Sequence, residues 1–331
     1  MKKKITVGII GFGYWGPTLF RNFRNHPRYQ VRYVCDRHRE KLARLQDHGS
    51  DCRVVVEAAK IFDDKNVDLV VIATQATKHV DLICKALEAN KHVFVEKPFV
   101  LSSADALKVC RLAKSANRAV WIDHTFLYCP AFVKLKQLVA NGKIGKPLRY
   151  HSTRADFGLF QTDTNVVWHL FYHDAYLMHE LFSLSAASMQ ASASSSIVPD
   201  IADSLTVSLH LAMGVHASVL CDMTFPEKKR EIVIMGDQGI LLWDELSPHK
   251  LKFFSDRARF DAPNQIVQYA EKRVPEIIPI GESETLAEEL TALASCLDGE
   301  APFNQACESA VEIVRLLEAI DLQVALKYKN I

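Results

Sequence analysis

The segment GFGYWG at residues 11–16 constrains the fold more than any other, because it directly follows the apolar run ITVGII. Its glycines, Gly11, Gly13 and Gly16, have the spacing G-x-G-x-x-G, and the sequence that follows, GPTLFRNFRNH, favours a helix. In such a strand–turn–helix unit the first glycine permits a tight turn, the second lets the backbone approach a pyrophosphate, and the third lets the helix pack on the strand. The helix N-terminus adds N–H groups and a positive dipole end. The segment therefore predicts a dinucleotide-binding turn.

An acidic residue at the end of the second predicted strand indicates which dinucleotide this turn binds. Asp36 ends the run YQVRYVCD, twenty residues after Gly16. A carboxylate there can accept a hydrogen bond from a ribose 2′-hydroxyl and repels a 2′-phosphate. We therefore predict NAD rather than NADP as the cofactor, although the neighbouring Arg37 could accommodate NADP. Tyr14 and Trp15, inside the turn, are further predicted cofactor contacts.

Strand-like and helix-like segments alternate along the first part of the chain. Apolar runs such as VDLVVIAT are separated by helical patterns such as KHVDLICKALEAN, which is typical of a parallel α/β sheet. After Lys146 the strand-like segments are separated by turns such as GDQG and FPEKK, and this favours an antiparallel sheet. The stretch MQASASSSIVPD (189–200) is an edge strand or a loop, and two amphipathic helices close the chain.

These patterns predict two domains. Residues 1–123 are expected to form a Rossmann domain, with a doubly wound parallel sheet that binds the dinucleotide. Residues 124–331 are expected to form an α+β domain with a large open, mostly antiparallel sheet and the C-terminal helices. This second domain is predicted to bind the substrate and to join chains into a homo-oligomer through its sheet.

The composition excludes several classes of partner. The 331 residues include 40 Lys and Arg and 39 Asp and Glu, so the formal net charge of +1 gives no reason to expect nucleic acid or a membrane surface. The start, MKKKITVGIIGFGYWG, lacks the cleavage site of a signal peptide, and no apolar run is long enough to span a membrane. The eight cysteines contain no Cys-x-x-Cys pair, and we predict reduced thiols in a cytoplasmic protein.

A lysine follows another buried-looking strand, in the segment HVFVEKPF. Ligands bind at the carboxyl ends of the strands in parallel sheets, and Lys97 is expected at such an end. A lysine there can donate to a substrate hydroxyl and stabilise developing negative charge on its oxygen. A solvated lysine that only forms a salt bridge remains the alternative.

A cluster of histidines lies in the segment VVWHLFYHDAYLMHEL (166–181), where His169 and His173 are four residues apart. On an α-helix at about 100° per residue, Val166, Leu170, Leu177 and Leu181 form an apolar stripe. His173 borders the stripe, while His169, Tyr176 and Glu180 lie beyond it on the same side and His179 points away. Asp163 and Asn165 could cap this helix.

Three interpretations of this helix remain open. His173 could exchange a proton with a substrate, because the unperturbed imidazole pKa of about 6.5 suits that role near neutral pH. His169 and His173 could instead bind a metal ion, but no third ligand is evident, and we predict no metal. Both could also be packed core histidines.

Several motifs together resemble the Gfo/Idh/MocA family of sugar and polyol oxidoreductases. GFGYWG, VIATQATKH, HVFVEKP and a helix-borne HD pair carry the resemblance, and HTFLYCPAFVKLKQLVANGKIGKPL, DTNVVW and REIVIMGDQGILLWDE are most similar to bacterial members that act on nucleotide-linked sugars. The resemblance implies a Rossmann domain, a large open sheet and a nicotinamide cofactor. It places the family's lysine on Lys97 and its catalytic histidine on His173, and we add Thr74, His79 and Glu96 as predicted cofactor contacts.

Two positions depart from the family pattern. Gln75 follows Thr74 where many members have proline, and His169 stands where the family commonly has aspartate.

From these motifs together we predict an NAD-dependent dehydrogenase of a sugar or nucleotide-linked sugar, with Lys97, His173 and His169 in the catalytic site. Tyr128, Arg154 and Tyr176 are predicted substrate contacts, and His124 is a further candidate. The alternatives are a non-catalytic NAD-binding sensor and a lyase or isomerase that holds NAD tightly.

Overall fold

The structure is a computed structural model that describes residues 2–46, 52–160, 162–269, 274–300 and 305–328. The contacts within the chain divide it into two compact units. The first unit comprises Met1–Thr125 and Glu284–Glu318, and the second comprises Phe126–Ser283 and Ala319–Ile331.

The first unit contains a parallel sheet of six strands among the described residues, and this confirms the predicted Rossmann architecture. The strands are β1 (Ile5–Ile10), β2 (Tyr29–Cys35), β3 (Arg53–Val55), β4 (Leu69–Ile72), β5 (His92–Val95) and β6 (Val120–Ile122). They lie in the order β3-β2-β1-β4-β5-β6. The order reverses between β1 and β4, so the glycine-rich turn after β1 lies at the point where such sheets bind ligands.

The helices of the first unit alternate with these strands. They are α1 (Gly16–Asn25), α2 (Arg39–Gln46), α3 (Ala59–Phe62), α4 (His79–Glu88) and α5 (Ser103–Ala116), and a 3₁₀ turn (Ala76–Lys78) precedes α4. All four residues of β4 are 0% exposed, as expected for a parallel strand covered on both faces. The helix α5 begins where the side chain of Ser102 accepts a hydrogen bond from the Asp105 N–H, and it ends at Asn117 in the left-handed conformation.

The second unit contains, among the described residues, an eight-stranded sheet in the order β16-β13-β12-β11-β7-β10-β9-β8. Its elements begin with a 3₁₀ turn (Thr125–Tyr128, starting in the first unit), α6 (Pro130–Ala140), β7 (Pro147–Phe157), a π-helical segment (Val167–Phe171) and α7 (Tyr172–Phe182). The strands that follow are β8 (Ala186–Ser194), β9 (Ser204–Leu211), β10 (His216–Asp222), β11 (Thr224–Gly236), β12 (Ile240–Asp244) and β13 (Leu251–Phe254). A separate hairpin, β14 (Ala258–Asp261) with β15 (Ile266–Tyr269), precedes β16 (Glu276–Ile277).

The strand directions confirm a mostly antiparallel sheet. Within the eight-stranded sheet, β7 and β10 pair in parallel, whereas the other pairs are antiparallel. The segment 189–200 is part strand and part loop, since its first six residues belong to the edge strand β8 and residues 195–200 follow that strand. The turn predicted at FPEKK is wrong, because this segment lies within β11, where the register with β7 shifts between Thr224 and Lys229.

Two helices, α8 (Thr285–Leu297) and α9 (Gln305–Tyr328), close the described chain. The sequence assigned both to residues 124–331, but α8 and most of α9 belong to the first unit. Leu286, Leu290 and Leu293 of α8 are buried in the same core as Val7 and Leu19. The burial of this apolar face against the Rossmann sheet explains why the division differs from the one drawn at residue 123.

A disulfide joins Cys110 on α5 to Cys307 on α9, 197 residues apart, with a Cα–Cα distance of 5.7 Å. The prediction of free thiols is wrong for this pair, because a pairing of distant helices leaves no spacing pattern in the sequence. Cys35, Cys52, Cys84, Cys129, Cys221 and Cys296 form no disulfide. None of the helices in the described ranges is long and apolar enough to cross a membrane.

Candidate active site

The glycine-rich turn joins β1 to α1 with the geometry that its motif predicts. Gly11 has a φ of +100°, and a Cβ there would lie 2.3 Å from the carbonyl oxygen of Ala73, so only glycine fits. A Cβ on Gly16 would lie 2.5 Å from the carbonyl oxygen of Gly11. A Cβ on Gly13 would meet no atom within 4 Å, so the turn offers open space there. The N-cap residue Trp15 makes no side-chain capping hydrogen bond, which suits a helix end that receives an anion.

Asp36 lies beside this turn, at the end of β2. Its Oδ2 accepts a hydrogen bond from the Phe12 N–H at 2.8 Å, and its Oδ1 accepts one from the His38 N–H at 2.9 Å. Each carboxylate oxygen has two lone pairs, so both can also accept from ribose hydroxyls. The exposed Arg37 donates from Nε to His38 Nε2 at 3.1 Å. The residues present therefore fit an adenosine ribose with a free 2′-hydroxyl.

The two aromatic residues of the turn have different exposures. Tyr14 is 81% exposed and Trp15 is 37% exposed, and their rings stack with centroids 6.4 Å apart. The indole Nε1 of Trp15 donates to Asp123 Oδ2 at 3.4 Å. Trp15 is therefore anchored to the segment that follows β6, whereas Tyr14 projects into solvent.

Lys97 lies in the loop after β5, on the same carboxyl edge of the sheet as the glycine-rich turn. It is half-buried, its N–H donates to Glu96 Oε2 at 3.2 Å, and a cis peptide bond links it to Pro98. His79, 1% exposed, lies with Nδ1 2.9 Å from the Pro98 carbonyl oxygen and Nε2 3.1 Å from the Thr74 carbonyl oxygen. Burial lowers the pKa of this imidazole. We therefore expect His79 to hold these two loops rather than to contact a cofactor.

The histidine-bearing segment is helical, but its first turn is π-helical (Val167–Phe171) before α7 begins. The predicted single α-helix with one apolar stripe is wrong, because the π turn changes the angular positions and the segment is buried on several sides. Trp168, Phe171, Tyr172, Ala175, Tyr176, Leu177 and Met178 are all buried. The N-cap position is Val166 rather than the predicted Asp163 or Asn165, although Asn165 Oδ1 accepts a hydrogen bond from the Val167 N–H at 3.0 Å.

His173 forms a hydrogen bond with a neighbour one turn along α7. Its Nδ1 lies 3.0 Å from the hydroxyl of Tyr176, which is 1% exposed. The ring of Phe126 contacts the imidazole edge-on, with centroids 5.0 Å apart. These contacts hold the imidazole at Nδ1 and against the Phe126 ring. Proton exchange with a substrate would therefore use the second ring nitrogen, Nε2.

A buried ion pair lies next to this histidine. Arg154 on β7, 2% exposed, donates from Nε to Asp174 Oδ2 at 3.1 Å, and Tyr150 donates from its hydroxyl to Asp174 Oδ1 at 2.7 Å. The Arg154 guanidinium also lies 5.1 Å from the centre of the Phe126 ring. Burial lowers the pKa of this guanidinium, but Asp174 and Glu245 raise it overall, so Arg154 stays charged.

The predicted substrate contacts therefore have different surroundings. Arg154 and Tyr176 are buried and bonded to Asp174 and His173 respectively. Tyr128 is half-buried on the 3₁₀ turn (Thr125–Tyr128). His124 is 8% exposed, and its N–H donates to the Ile122 carbonyl oxygen at 2.8 Å.

His169 and His179 are both half-buried, the first in the π-helical segment and the second near the end of α7. Within the described residues, no group of three or more His, Cys, Asp or Glu side chains has the geometry to hold a metal ion.

Four residues of this region were not predicted as part of the site: Phe126, Tyr150, Asp174 and Glu245. Asp174 adjoins His173 in the HD pair, so the sequence did contain a signal for it. The others are remote from this pair in sequence, and only the fold brings Phe126 to His173, Tyr150 to Asp174 and Glu245 to Arg154.

Two family models match the chain. Residues 5–124 match the model described as "Oxidoreductase family, NAD-binding Rossmann fold", and residues 132–242 match the "GFO/IDH/MocA C-terminal domain". Together these matches cover most of the chain, including the glycine-rich turn, Lys97 and His173.

Among curated proteins, inositol 2-dehydrogenase of Acidothermus cellulolyticus is 27% identical over 224 residues, which are 66% of this chain and 66% of that protein. The chain spans between about two fifths and two thirds of the length of the curated relatives that it matches first.

Solved structures share the fold over nearly the whole chain. UDP-N-acetylglucosamine 3-dehydrogenase from Acidithiobacillus ferrooxidans has a TM-score of 0.80 at 20% identity, and covers 99% of this chain and 100% of its own. A 3-ketoreductase from Actinomadura kijaniata, in complex with TDP-benzene and NADP, has a TM-score of 0.81 at 17% identity, with coverage of 97% and 98%. At these identities the likeness establishes the fold alone.

Proposed function

The chain belongs to the Gfo/Idh/MocA family of oxidoreductases, and we propose that it is an NAD-dependent dehydrogenase of a sugar or a nucleotide-linked sugar. The observation that carries the proposal is that Lys97 and the glycine-rich turn lie on the same carboxyl edge of one parallel sheet. Reactive groups gather at this edge in such folds because the strand ends open into the ligand crevice.

The cofactor would be held by the glycine-rich turn and Asp36. The turn has open space at Gly13 and an uncapped helix end for a pyrophosphate, and Asp36 retains lone pairs for a ribose. When bound, a nicotinamide cofactor accepts or donates the hydride. NAD is proposed over NADP because a 2′-phosphate would meet the Asp36 carboxylate; complexes with NAD and with NADP both occur among proteins of this fold.

Lys97 and His173 would act on the oxygen and the proton of the reacting hydroxyl. The Lys97 ammonium would donate a hydrogen bond to that oxygen and stabilise the charge that develops there. His173 would exchange the hydroxyl proton at Nε2, because Nδ1 is bonded to Tyr176. His169 would stand at the family's carboxylate position, and the Tyr176 hydroxyl would supply the orienting contact to the imidazole.

The substrate class rests on the relatives. One is named inositol 2-dehydrogenase and a structural neighbour is named UDP-N-acetylglucosamine 3-dehydrogenase, so both names specify a ring alcohol. We extend this class to the present chain, with the half-buried Tyr128 as a contact to the sugar.

We further propose a cytoplasmic homo-oligomer that associates through the eight-stranded sheet. On β11 and β12, Ile232, Ile234 and Leu241 are buried, while Val233, Met235, Ile240 and Leu242 alternate with them and are partly exposed. Because alternate residues of a strand point to opposite faces, these four apolar side chains share the second face.

The test is to supply purified protein with NAD or NADP and a panel of cyclic polyols and UDP- and TDP-linked sugars, following the absorbance of reduced nicotinamide. Turnover of a ring alcohol with NAD is expected. Calorimetric titration with NAD alone separates the alternative, because a sensor would bind NAD and oxidise no member of the panel. Failure to bind either dinucleotide would overturn the cofactor assignment as well.

A further inference from the structure

Three carboxyl groups from distant parts of the sequence meet inside the first unit. Glu96 follows β5 and Asp123 follows β6, and these strands are neighbours in which Val95 pairs with Ile122. Glu289 approaches Asp123 from α8. The side chains of Glu96 and Glu289 both lie within hydrogen-bonding reach of the Asp123 side chain, so Asp123 lies in the middle of what we term the carboxyl triad.

All three members of the triad accept hydrogen bonds from neighbouring groups. Asp123 accepts from the Thr125 hydroxyl at Oδ1 and from the Trp15 indole at Oδ2. Glu289 accepts from the Trp121 indole at Oε1, at 3.0 Å, and Glu96 accepts at Oε2 from the Lys97 N–H. Asp123 is 2% exposed and Glu289 is 0% exposed, so water does not replace missing partners.

Two oxygen atoms of the triad are buried and receive no donor: Oε1 of Glu96 and Oε2 of Glu289. An ionised carboxylate only accepts hydrogen bonds, so two carboxylates that face each other leave such atoms unsatisfied and repel each other. A protonated carboxyl carries an O–H that can donate to its neighbour. A proton on Glu96 or on Glu289 would therefore let that carboxyl donate to Asp123 instead of repelling it.

We propose that Glu96 and Glu289 are neutral carboxylic acids that donate hydrogen bonds to an ionised Asp123, and that this protonated triad positions the Lys97 loop and the glycine-rich turn relative to each other. Asp123 then accepts from Glu96, Glu289, Thr125 and Trp15, and four donors match the four lone pairs of its two oxygens. Through Trp15 the triad holds the turn, and through Glu96 it holds the residue next to Lys97.

The electrostatic surroundings favour this protonation. Burial, and then the charge of Asp123, raise the pKa of both Glu96 and Glu289 well above the ordinary value. Glu96 also faces Glu289 and Lys97, and only the ammonium lowers its pKa. Glu289 faces Asp123, Tyr29 and the backbone of His124, none of which is a cation.

The role in positioning rests on the proposed dehydrogenase function, but the protonation does not. A neutral carboxylic acid absorbs at a C=O stretching frequency distinct from that of a carboxylate, so infrared spectroscopy counts it directly. We expect such a band in the wild-type protein at neutral pH and its partial loss in Glu289→Gln. Absence of the band from the wild type would overturn the proposal without reference to any activity.

Two substitutions at Glu289 separate positioning from packing. Glu289→Gln preserves an acceptor for Trp121 and a donor for Asp123, so the affinity for NAD should stay within about twofold of wild type. Glu289→Met keeps the side-chain volume but can neither accept nor donate. It should weaken NAD binding about tenfold, which is the scale of one lost hydrogen bond to a charged group. Glu88→Gln on the exposed face of α4 is the control. Equal effects of glutamine and methionine would overturn the positioning role.

The pH dependence of stability provides a measurement that does not depend on how Glu289→Met folds. A carboxyl whose folded-state pKa is raised binds a proton in the native state that the unfolded chain has lost, so stability falls as pH rises from about 4.5 through the raised value. Glu289→Gln removes one such group and should flatten that decline, whereas Glu88→Gln should not. An unchanged decline in Glu289→Gln would contradict the proposal. If the infrared band and the pH effect are present and no sugar is oxidised, the dehydrogenase assignment fails while the triad stands.

Discussion

Lys97 is the residue whose chemistry is most directly testable. Lys97→Met should lower kcat by about two orders of magnitude or more, because the ammonium would stabilise charge that develops on the substrate oxygen. NAD affinity should remain within a few-fold, since the turn and Asp36 are untouched. Steady-state kinetics and NAD calorimetry measure the two effects separately, and Lys65→Met, at an exposed site, is the control. Normal turnover in Lys97→Met would remove Lys97 from the catalytic site.

Tyr176 is expected to orient His173 through its hydroxyl. Tyr176→Phe keeps the buried ring and removes only the group that lies 3.0 Å from Nδ1. We expect kcat to fall by about one to two orders of magnitude, a part of the gain that positioned acid–base groups provide, while KM for the sugar changes little. In the profile of kcat against pH, the limb that reflects protonation of His173 should shift relative to wild type. Tyr269→Phe, at a residue that is 78% exposed, should behave as wild type.

Asp36 is expected to select the cofactor. Asp36→Asn keeps oxygen and nitrogen atoms beside Phe12 and His38 but removes the negative charge, so affinity for NADP should rise relative to NAD by about tenfold or more. Calorimetry with each dinucleotide gives the ratio. An unchanged ratio of the two affinities would show that the ribose 2′-position of the bound dinucleotide does not lie beside Asp36.

The sequence predicted the turn, Asp36 and Lys97 because each follows a strand that its own pattern identifies. It did not predict the carboxyl triad, since Glu289 is 166 residues from Asp123 and only the packing of α8 on the first unit brings them together. It also did not show that Arg154 is bonded to Asp174, because a buried arginine and a substrate-binding arginine look alike in a sequence.

At the scale of elements, His92 should make the pairing of β5 with β6 sensitive to acid. It is the first residue of β5, and its Nδ1 accepts a hydrogen bond from the Ala119 N–H at 3.0 Å. Burial, and then Arg118, lower its pKa from 6.5 to about 4. The folded state therefore binds fewer protons than the unfolded chain between these values, so this contribution to stability is complete above pH 6.5 and is lost as pH falls toward about 4.

The size of this effect follows from the shift. Denaturant unfolding should show up to about 3 kcal/mol less stability at the acid end of that window. Burial lowers the pKa of His79 as well, and His79 contributes the same sign. The informative quantity is therefore the difference between wild type and His92→Asn, which accepts the same hydrogen bond but does not titrate. If the free energy of unfolding changes with pH in the same way in the two proteins, His92 has the same charge in the folded and unfolded states and the prediction is wrong.

Elements with a clear apolar period were predicted well, and those shaped by tertiary contacts were not. The short β3 and α3 have too few residues to carry a period. The polar FPEKK segment looks like a turn, yet pairing with β7 on both sides of an irregularity keeps it within β11. The π-helical turn at Val167–Phe171 is invisible to a pattern analysis that assumes 100° per residue.

At the scale of the whole molecule, the chain leaves the first unit after residue 125 and returns to it at residue 284. Several long-range links secure this return: the Cys110–Cys307 disulfide, the hydrogen bond from the Tyr29 hydroxyl to the Leu290 carbonyl, and the paired bonds of Arg28 to Asp298. The Rossmann unit is thus completed by residues far along the sequence, and a fragment that ends at residue 123 would expose the apolar face that α8 covers.

The face of the eight-stranded sheet that carries Val233, Met235, Ile240 and Leu242 should decide the oligomeric state. Grouped apolar side chains on a partly exposed sheet face are a typical surface for association between identical chains. We expect light scattering to give a mass of at least two chains, and Leu242→Glu to reduce it to one because a charge would be buried at the contact. Glu88→Lys on α4 should leave the mass unchanged. If Leu242→Glu remains folded and keeps the wild-type mass, the chains associate through another surface.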